Sequence, residues 1–382
     1  MNLATPKPLA GIRVLDLSAL GPGPFASRLL ADYGAEVVMV EQPETPVYDT
    51  NRGFSGRGKT SIILDLKAPG AVQFVLSIVD KFDVLLESMR PGKMEALGLG
   101  PREVAERAPR LIYTRLTAFG QTGPLSQKAG HDINAIATAG VLSLCGTDQP
   151  LPPYALLGDF AGGSMMVVIG VLLALLERQQ SGRGRVVDAS MTDGATLLAG
   201  SMMAGVKEGQ MDPSEAAKMV NGSRPFYTTY RCADGKWMAV GAVEPKFFRE
   251  VIRGLNLEGI VEPRDQMKSE KAEFIHKQFA DKFLEKTRDE WERIFSDIDA
   301  CVSPVLGLGE LPLHPHHQSR ATVFTNSKGF IEPGIVPRIE NVDYMPAGPA
   351  PARGADTKSV MSACGVGEQA AQAAIAAGIV RM

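Results

Sequence analysis

Residues 12–43, IRVLDLSALGPGPFASRLLADYGAEVVMVEQP, leave few folds open. Two short β-branched apolar runs, 12–17 and 36–41, flank a segment with helical periodicity, PFASRLLADYG. A strand, a helix and a second strand of this kind form a crossover unit whose strands lie parallel. The rhythm continues. Runs at 61–66 and 83–86 follow, with PGAVQFVLSIVDKF between them, and then RLIYTRLTAFG and VVDASM. Such alternation predicts a parallel sheet covered by helices on both faces, with ligands bound near the carboxyl ends of its strands.

Gly21, Gly23 and Ala26 stand at the G-x-G-x-x-A spacing of a dinucleotide-binding turn, and Glu41 ends the second apolar run. That turn works by aiming backbone N–H groups at a pyrophosphate. Pro22 and Pro24 interrupt it, and proline has no N–H to aim. Pro24 suits the first turn of a helix instead. The stretch therefore reads as a fold-building turn, and no nicotinamide cofactor is expected.

The 382 residues suffice for two domains. A net charge of −3 gives no general attraction to nucleic acid or to an anionic membrane, and neither is expected as a partner. Cys145, Cys232, Cys301 and Cys364 are scattered without a C-x-x-C pair, which fits a reducing compartment and predicts no metal site. The opening MNLATPKPLAGIRVLDL lacks the pattern of a secretory leader, so a cytoplasmic location is expected, with peroxisome or mitochondrion open for a eukaryotic source. The C-terminal VRM is only distantly similar to a peroxisomal address. Phe160 to Leu176 is the longest uncharged stretch and, with three glycines, reads as a buried helix rather than a membrane span. A large domain over 1–206, a polar connection over 207–224, a small α+β domain over 225–310 and a tail, 311–382, returning to the large domain are expected. The small domain opens with FYTTYRCADGKWMAVGAVE, two alternating strands joined at Ala-Asp-Gly.

Three segments carry candidate chemistry. In AGHDINAIATAG, His131 precedes a helix with Asp132 at or near its N-cap. The positive end of a helix keeps an imidazole neutral and offers free N–H groups to an oxyanion. A loop histidine beside a capping aspartate explains the same residues. In LLGDFAGGSMM, Asp159 sits between an apolar run and the start of a helix, where burial would raise its pKa, though a plain cap is the alternative. Glu244 in VGAVEPKFF closes an apolar strand and is equally well a turn residue before Pro245.

GHDIN, DFAGG, FYTTYR with ADG and VGAVEP, and DACVSPVL resemble motifs of the alpha-methylacyl-CoA racemase family, within the class III CoA-transferase superfamily. The resemblance runs from LAGIRVLDLS through RGKTSIILDLK, VLLESMRPG and PRLIYTRLTAFGQTGP to about residue 305, and is loose in the tail. It implies a Rossmann-like large domain, a small domain and an interlocked homodimer with its active sites between domains of different subunits. His131 and Asp159 become the two acid/base residues, and Glu244 supports His131 by hydrogen bonding. Gln42, Ile63, Leu64, Asp65, Leu66, Arg90, Ala129, Gly130, Asp132, Ile133 and Asn134 become the CoA thioester site. Two departures stand out: Gln42 where the family often has arginine, and Ala135 where it has an aromatic residue. The implied reaction inverts the α-carbon of a 2-methylacyl-CoA by passing a proton through an enolate, with no cofactor beyond the CoA of the substrate. The alternative on the same fold is CoA transfer with Asp159 as nucleophile.

Overall fold

The computed structural model describes residues 7–44, 52–207, 218–342 and 348–382. The polar connection expected over 207–224 lies partly outside the described residues. The chain divides into two compact units, the first drawn from Met1–Val141, Pro153–Leu198 and Gln318–Met382, the second from Leu142–Pro152 and Ala199–His317. Thus 199–206 and 311–317, grouped above with the large domain and the tail, lie in the second unit, as does the short run 142–152.

The first unit is built on a seven-stranded sheet. Its strands are β1 (Arg13–Asp16), β2 (Glu36–Glu41), β3 (Thr60–Leu64), β4 (Val84–Glu87), β5 (Ile112–Thr117), β6 (Val186–Ser190) and the C-terminal β12 (Val380–Arg381). The spatial order is β12-β3-β2-β1-β4-β5-β6, all parallel except the antiparallel β12. Starting at β1, the chain winds outward through β2 and β3, then returns to the other side for β4, β5 and β6. The point of reversal, between β1 and β4, opens a crevice at the carboxyl ends of the strands. Val14 and Leu15 are both buried although they face opposite sides, as a strand covered on both faces requires. The helix Pro22–Asp32 carries prolines at its first and third positions and starts from Gly21, held at φ 66°. Proline without its N–H costs nothing there.

The segment Leu156–Ser181 is long and apolar enough, by length and composition, to cross a bilayer. Val167, Val171 and Ala174 instead bury one face of it in the core under β1, β4 and β5. The opposite face, with Met165, Ile169, Leu172, Leu173 and Leu176, is open. The buried helix expected here is therefore covered on one side only. A small hairpin, β10 (Val323–Thr325) with β11 (Ile331–Pro333), also belongs to the first unit.

The second unit holds an antiparallel sheet of β7 (Tyr227–Arg231), β8 (Trp237–Gly241) and β9 (Val302–Pro304). Gly235, at φ 78°, allows the tight β7–β8 turn. Its core is aromatic: Tyr230 stacks on Phe283 with ring centroids 5.1 Å apart, and Phe283 meets Trp291 edge-on. The buried indole N–H of Trp291 donates to the Phe283 carbonyl at 2.9 Å, so this polar group is not stranded.

Candidate active site

Beneath the β1–helix turn lies a buried polar knot. Asp16 ends β1 and has no exposure. Its carboxylate accepts from the Ser18 N–H, from the Ser18 and Ser27 hydroxyls, and from Lys59 Nζ at 3.2 Å. Lys59 Nζ also donates to the Pro24 carbonyl at 2.9 Å. Burial lowers the Lys59 pKa, and the Asp16 charge opposes that. The knot fixes Ser18 to Ser27, and the packing is tight enough that a Cβ on Gly23 would lie 2.4 Å from Ser18 Cβ. Fixing this turn places Gly21 at the crevice.

Asp159 was expected just before a helix. It lies instead within a π-helical stretch, Leu156–Ser164, that runs directly into Met165–Ser181. Such wide turns are frequent at functional sites. Two glycines let the stretch fit: a Cβ on Gly194 would come 2.0 Å from the Gly162 carbonyl oxygen and one on Gly162 2.7 Å from the Met191 carbonyl oxygen, so the Met191–Leu198 helix crosses it backbone to backbone. The Asp159 carboxyl reaches toward the β1 turn, where a Cβ on Gly21 would be 3.7 Å from Oδ2.

His131, not Asp132, is the N-cap residue of the Asp132–Thr138 helix, and its own N–H donates to Asn134 Oδ1 at 3.1 Å. Asp132 faces away from its helix. Its Oδ1 accepts the backbone N–H groups of Gly158 (2.6 Å) and Asp159 (2.8 Å). Two motifs 27 residues apart are thereby stitched together. The Asp159 carboxyl has a pKa raised to about 6, first by burial, then by the Asp132 charge, against an opposing influence from His131. An acid poised there can both take and give a proton near neutral pH.

A cavity of about 1080 Å³ opens at the carboxyl ends of β1 to β4. Of the expected thioester-binding residues, Gln42, Leu64, Asp65, Leu66 and Arg90 line it. Ile63 does not: its Cδ1 would meet a Cβ on Gly354 at 3.0 Å, under the C-terminal segment. Ala129, Gly130, Asp132, Ile133 and Asn134 also lie off its wall, while Leu156 and Phe160, on either side of Asp159, are on it. The loop bearing Arg90 is set by buried Glu87, which accepts the Met89 N–H at 2.6 Å and Arg115 Nε at 2.8 Å.

Glu41 holds the position where a dinucleotide fold offers a carboxylate to a ribose. Here it is occupied. Arg52 donates to both of its oxygens (2.7 and 2.8 Å), Ser61 donates its hydroxyl, and Arg353 Nε stands 3.5 Å away. Despite partial burial its pKa is lowered by these partners. Arg52, Arg353 and Arg381 all line the cavity, and none had a signal in the sequence, because Arg52 is more than 300 residues from the other two. Glu244 lies in the second unit, exposed, as N-cap of the Pro245–Gly254 helix. The buried Gln266 amide holds the strand end before it, donating to the carbonyls of Ala242 and Val243. Among the described residues, no group of three or more His, Cys, Asp or Glu is arranged to hold a metal ion.

A doubly wound sheet with a cavity at its reversal point, and an aspartate stitched to a histidine-bearing helix cap beside it, belong to a known family. The chain is a member of CoA-transferase family III, whose model matches residues 9–357. It is 43% identical over 341 residues to the alpha-methylacyl-CoA racemase of Homo sapiens, covering 89% of this chain and 88% of that protein. It is 29% identical over 318 residues to the human succinyl-CoA:glutarate CoA-transferase, covering 78% and 72%. The solved structure of a hypothetical protein from Mycobacterium tuberculosis superposes with a TM-score of 0.74 at 28% identity, over 92% of this chain and 99% of that one.

Proposed function

We propose that the protein is a racemase that inverts the α-carbon of 2-methylacyl-CoA thioesters. The observation that carries this reading is the pairing of Asp159, its pKa raised to about 6, with the His131 segment through the Asp132 hydrogen bonds. A CoA-transferase needs a carboxylate nucleophile and leaves His131 without a task. The greater identity to a racemase, 43% against 29%, supports the same choice.

In this mechanism one group removes the α-proton of the thioester, an enolate forms, and the other group delivers a proton to the opposite face. One proton leaves carbon and one arrives, so no oxidant or external acid is consumed. Each positioned acid or base contributes roughly 10²–10⁴-fold. The first N–H groups of the Asp132–Thr138 helix have no carbonyl one turn back, and they supply the enolate oxygen with its hydrogen bond. The apolar wall at Leu20, Phe25 and Phe160 takes the acyl chain, and the basic residues take the nucleotide. CoA is part of the substrate, and the chemistry asks for no separate cofactor. Glu244 orients His131 in the assembled enzyme, a homodimer. The free thiols suit a reducing, cytoplasmic setting.

The test is to incubate the protein with a single epimer of a 2-methylacyl-CoA in deuterium oxide. Near-equal epimers with deuterium at the α-carbon are expected, and His131→Ala should stop inversion while one epimer retains slow exchange through Asp159. Unchanged configuration, with CoA passing to an added free carboxylate, would move the assignment to transferase.

A further inference from the structure

The cavity sorts its charges. Six basic and three acidic side chains line it, in a chain whose net charge is −3, so it is built for an anion. The apolar residues gather near Gly21 and Asp159, whereas Arg52, Arg353 and Arg381 gather at the edge formed by β2, β3 and β12. Of these strands β2 is next to β1, and β12 is three strand spacings from it, roughly 14 Å.

Two of these arginines arrive by an unusual route. Arg381 sits on β12, opposite Ile63 of β3, and its carbonyl accepts the Thr357 hydroxyl at 3.0 Å. Arg353 is braced by the carbonyls of Gln42 and Glu44. The backbone between them is tied down: Asp356 accepts the Ser61 N–H at 2.8 Å, and the Gly354 N–H donates to the Ser61 hydroxyl at 2.8 Å. Gln42 itself brings no charge, and the Glu41 charge is already balanced by the bidentate Arg52 guanidinium. Arg381 also lies beyond residue 357, where the match to the family model ends.

We propose that Arg353 and Arg381, both carried by the C-terminal segment, form a seat for the phosphate on the nucleotide ribose. The seat selects the 3′-phosphorylated form of CoA. Arg90, on the loop after β4, and Lys93, which opens the Lys93–Leu97 helix, stand nearer β1 and face the diphosphate nearer the thioester. This rests on the acyl-CoA reading and adds to it which residues decide nucleotide recognition.

Calorimetric titration with CoA and with 3′-dephospho-CoA tests it without any turnover. A charge-assisted hydrogen bond corresponds to about a ten- to hundredfold change in affinity. The wild-type protein should bind CoA at least about tenfold tighter than 3′-dephospho-CoA, and Arg381→Gln should abolish most of that difference while leaving 3′-dephospho-CoA binding unchanged. Arg381 is exposed, so the variant should keep its unfolding midpoint, measured alongside. Arg353→Gln should act in the same sense. Equal wild-type affinity for the two ligands, with epimer inversion intact, would overturn the phosphate seat alone. Equal weakening of both ligands by Arg381→Gln would overturn it too. A wild-type protein that bound neither would overturn the acyl-CoA reading and the seat together.

Discussion

Replacing Asp159 with asparagine should make the protein more stable and inactive at once. The carboxyl is drawn into the π-helical stretch with a pKa raised from 3.8 to about 6, chiefly by burial and then by the Asp132 charge. A group whose native pKa exceeds its unfolded value binds protons more tightly in the folded state. Its ionisation therefore weakens the fold as pH rises from about 4 through 6, and the full cost is present at pH 7. Unscreened, a rise of this size corresponds to about 3 kcal/mol. The carboxyl is partly open to solvent, so we expect about 1–2 kcal/mol after screening. The asparagine amide carries no charge, and the Asp132 bonds to the backbone of residues 158 and 159 do not involve the substituted side chain. Thermal unfolding at pH 7.5 should show Asp159→Asn raised by roughly 1–2 °C per kcal/mol. The advantage should shrink steadily below pH 6 and vanish near pH 4, while epimer inversion is lost throughout. A variant less stable than wild type at pH 7.5, or an advantage independent of pH, would refute the argument that burial stores strain on this carboxylate.

Asp132→Asn keeps an oxygen for the Gly158 and Asp159 N–H groups but removes the charge that is the second cause of the raised Asp159 pKa. The acidic limb of kcat/KM should move down by about half a pH unit. An acidic limb that stays at its wild-type position would show that the Asp132 charge does not act on Asp159. Lys59→Met leaves Asp16 buried without its cation, so urea unfolding should show a loss of about 3–5 kcal/mol. A loss below about 1 kcal/mol would mean that the two serines alone satisfy Asp16.

The sequence by itself determined the strands and their parallel arrangement. Period-two and β-branched runs at 12–17, 36–41, 61–66 and 83–86 are local properties, and a parallel sheet with crossover helices follows from them whatever the rest of the chain does. It also exposed the His131 and Asp159 segments, since each stands in a short string of small residues next to a helix signal. Two prolines in the first turn argued against a dinucleotide cradle, and the pairing of Glu41 with Arg52 gives a second, structural reason. Tertiary structure decided the rest. Whether residues 156–164 coil as an α- or a π-helix depends on Gly194 meeting Gly162 across space, and no local pattern encodes that approach. Asp132 has the composition of a helix cap, but what it binds was fixed by the backbone that folding brought to it, 26 and 27 residues on. The basic end of the cavity was least legible of all. Arg52, Arg353 and Arg381 become neighbours only when β12 closes against β3, and charges that converge from both ends of a chain leave no periodicity to read.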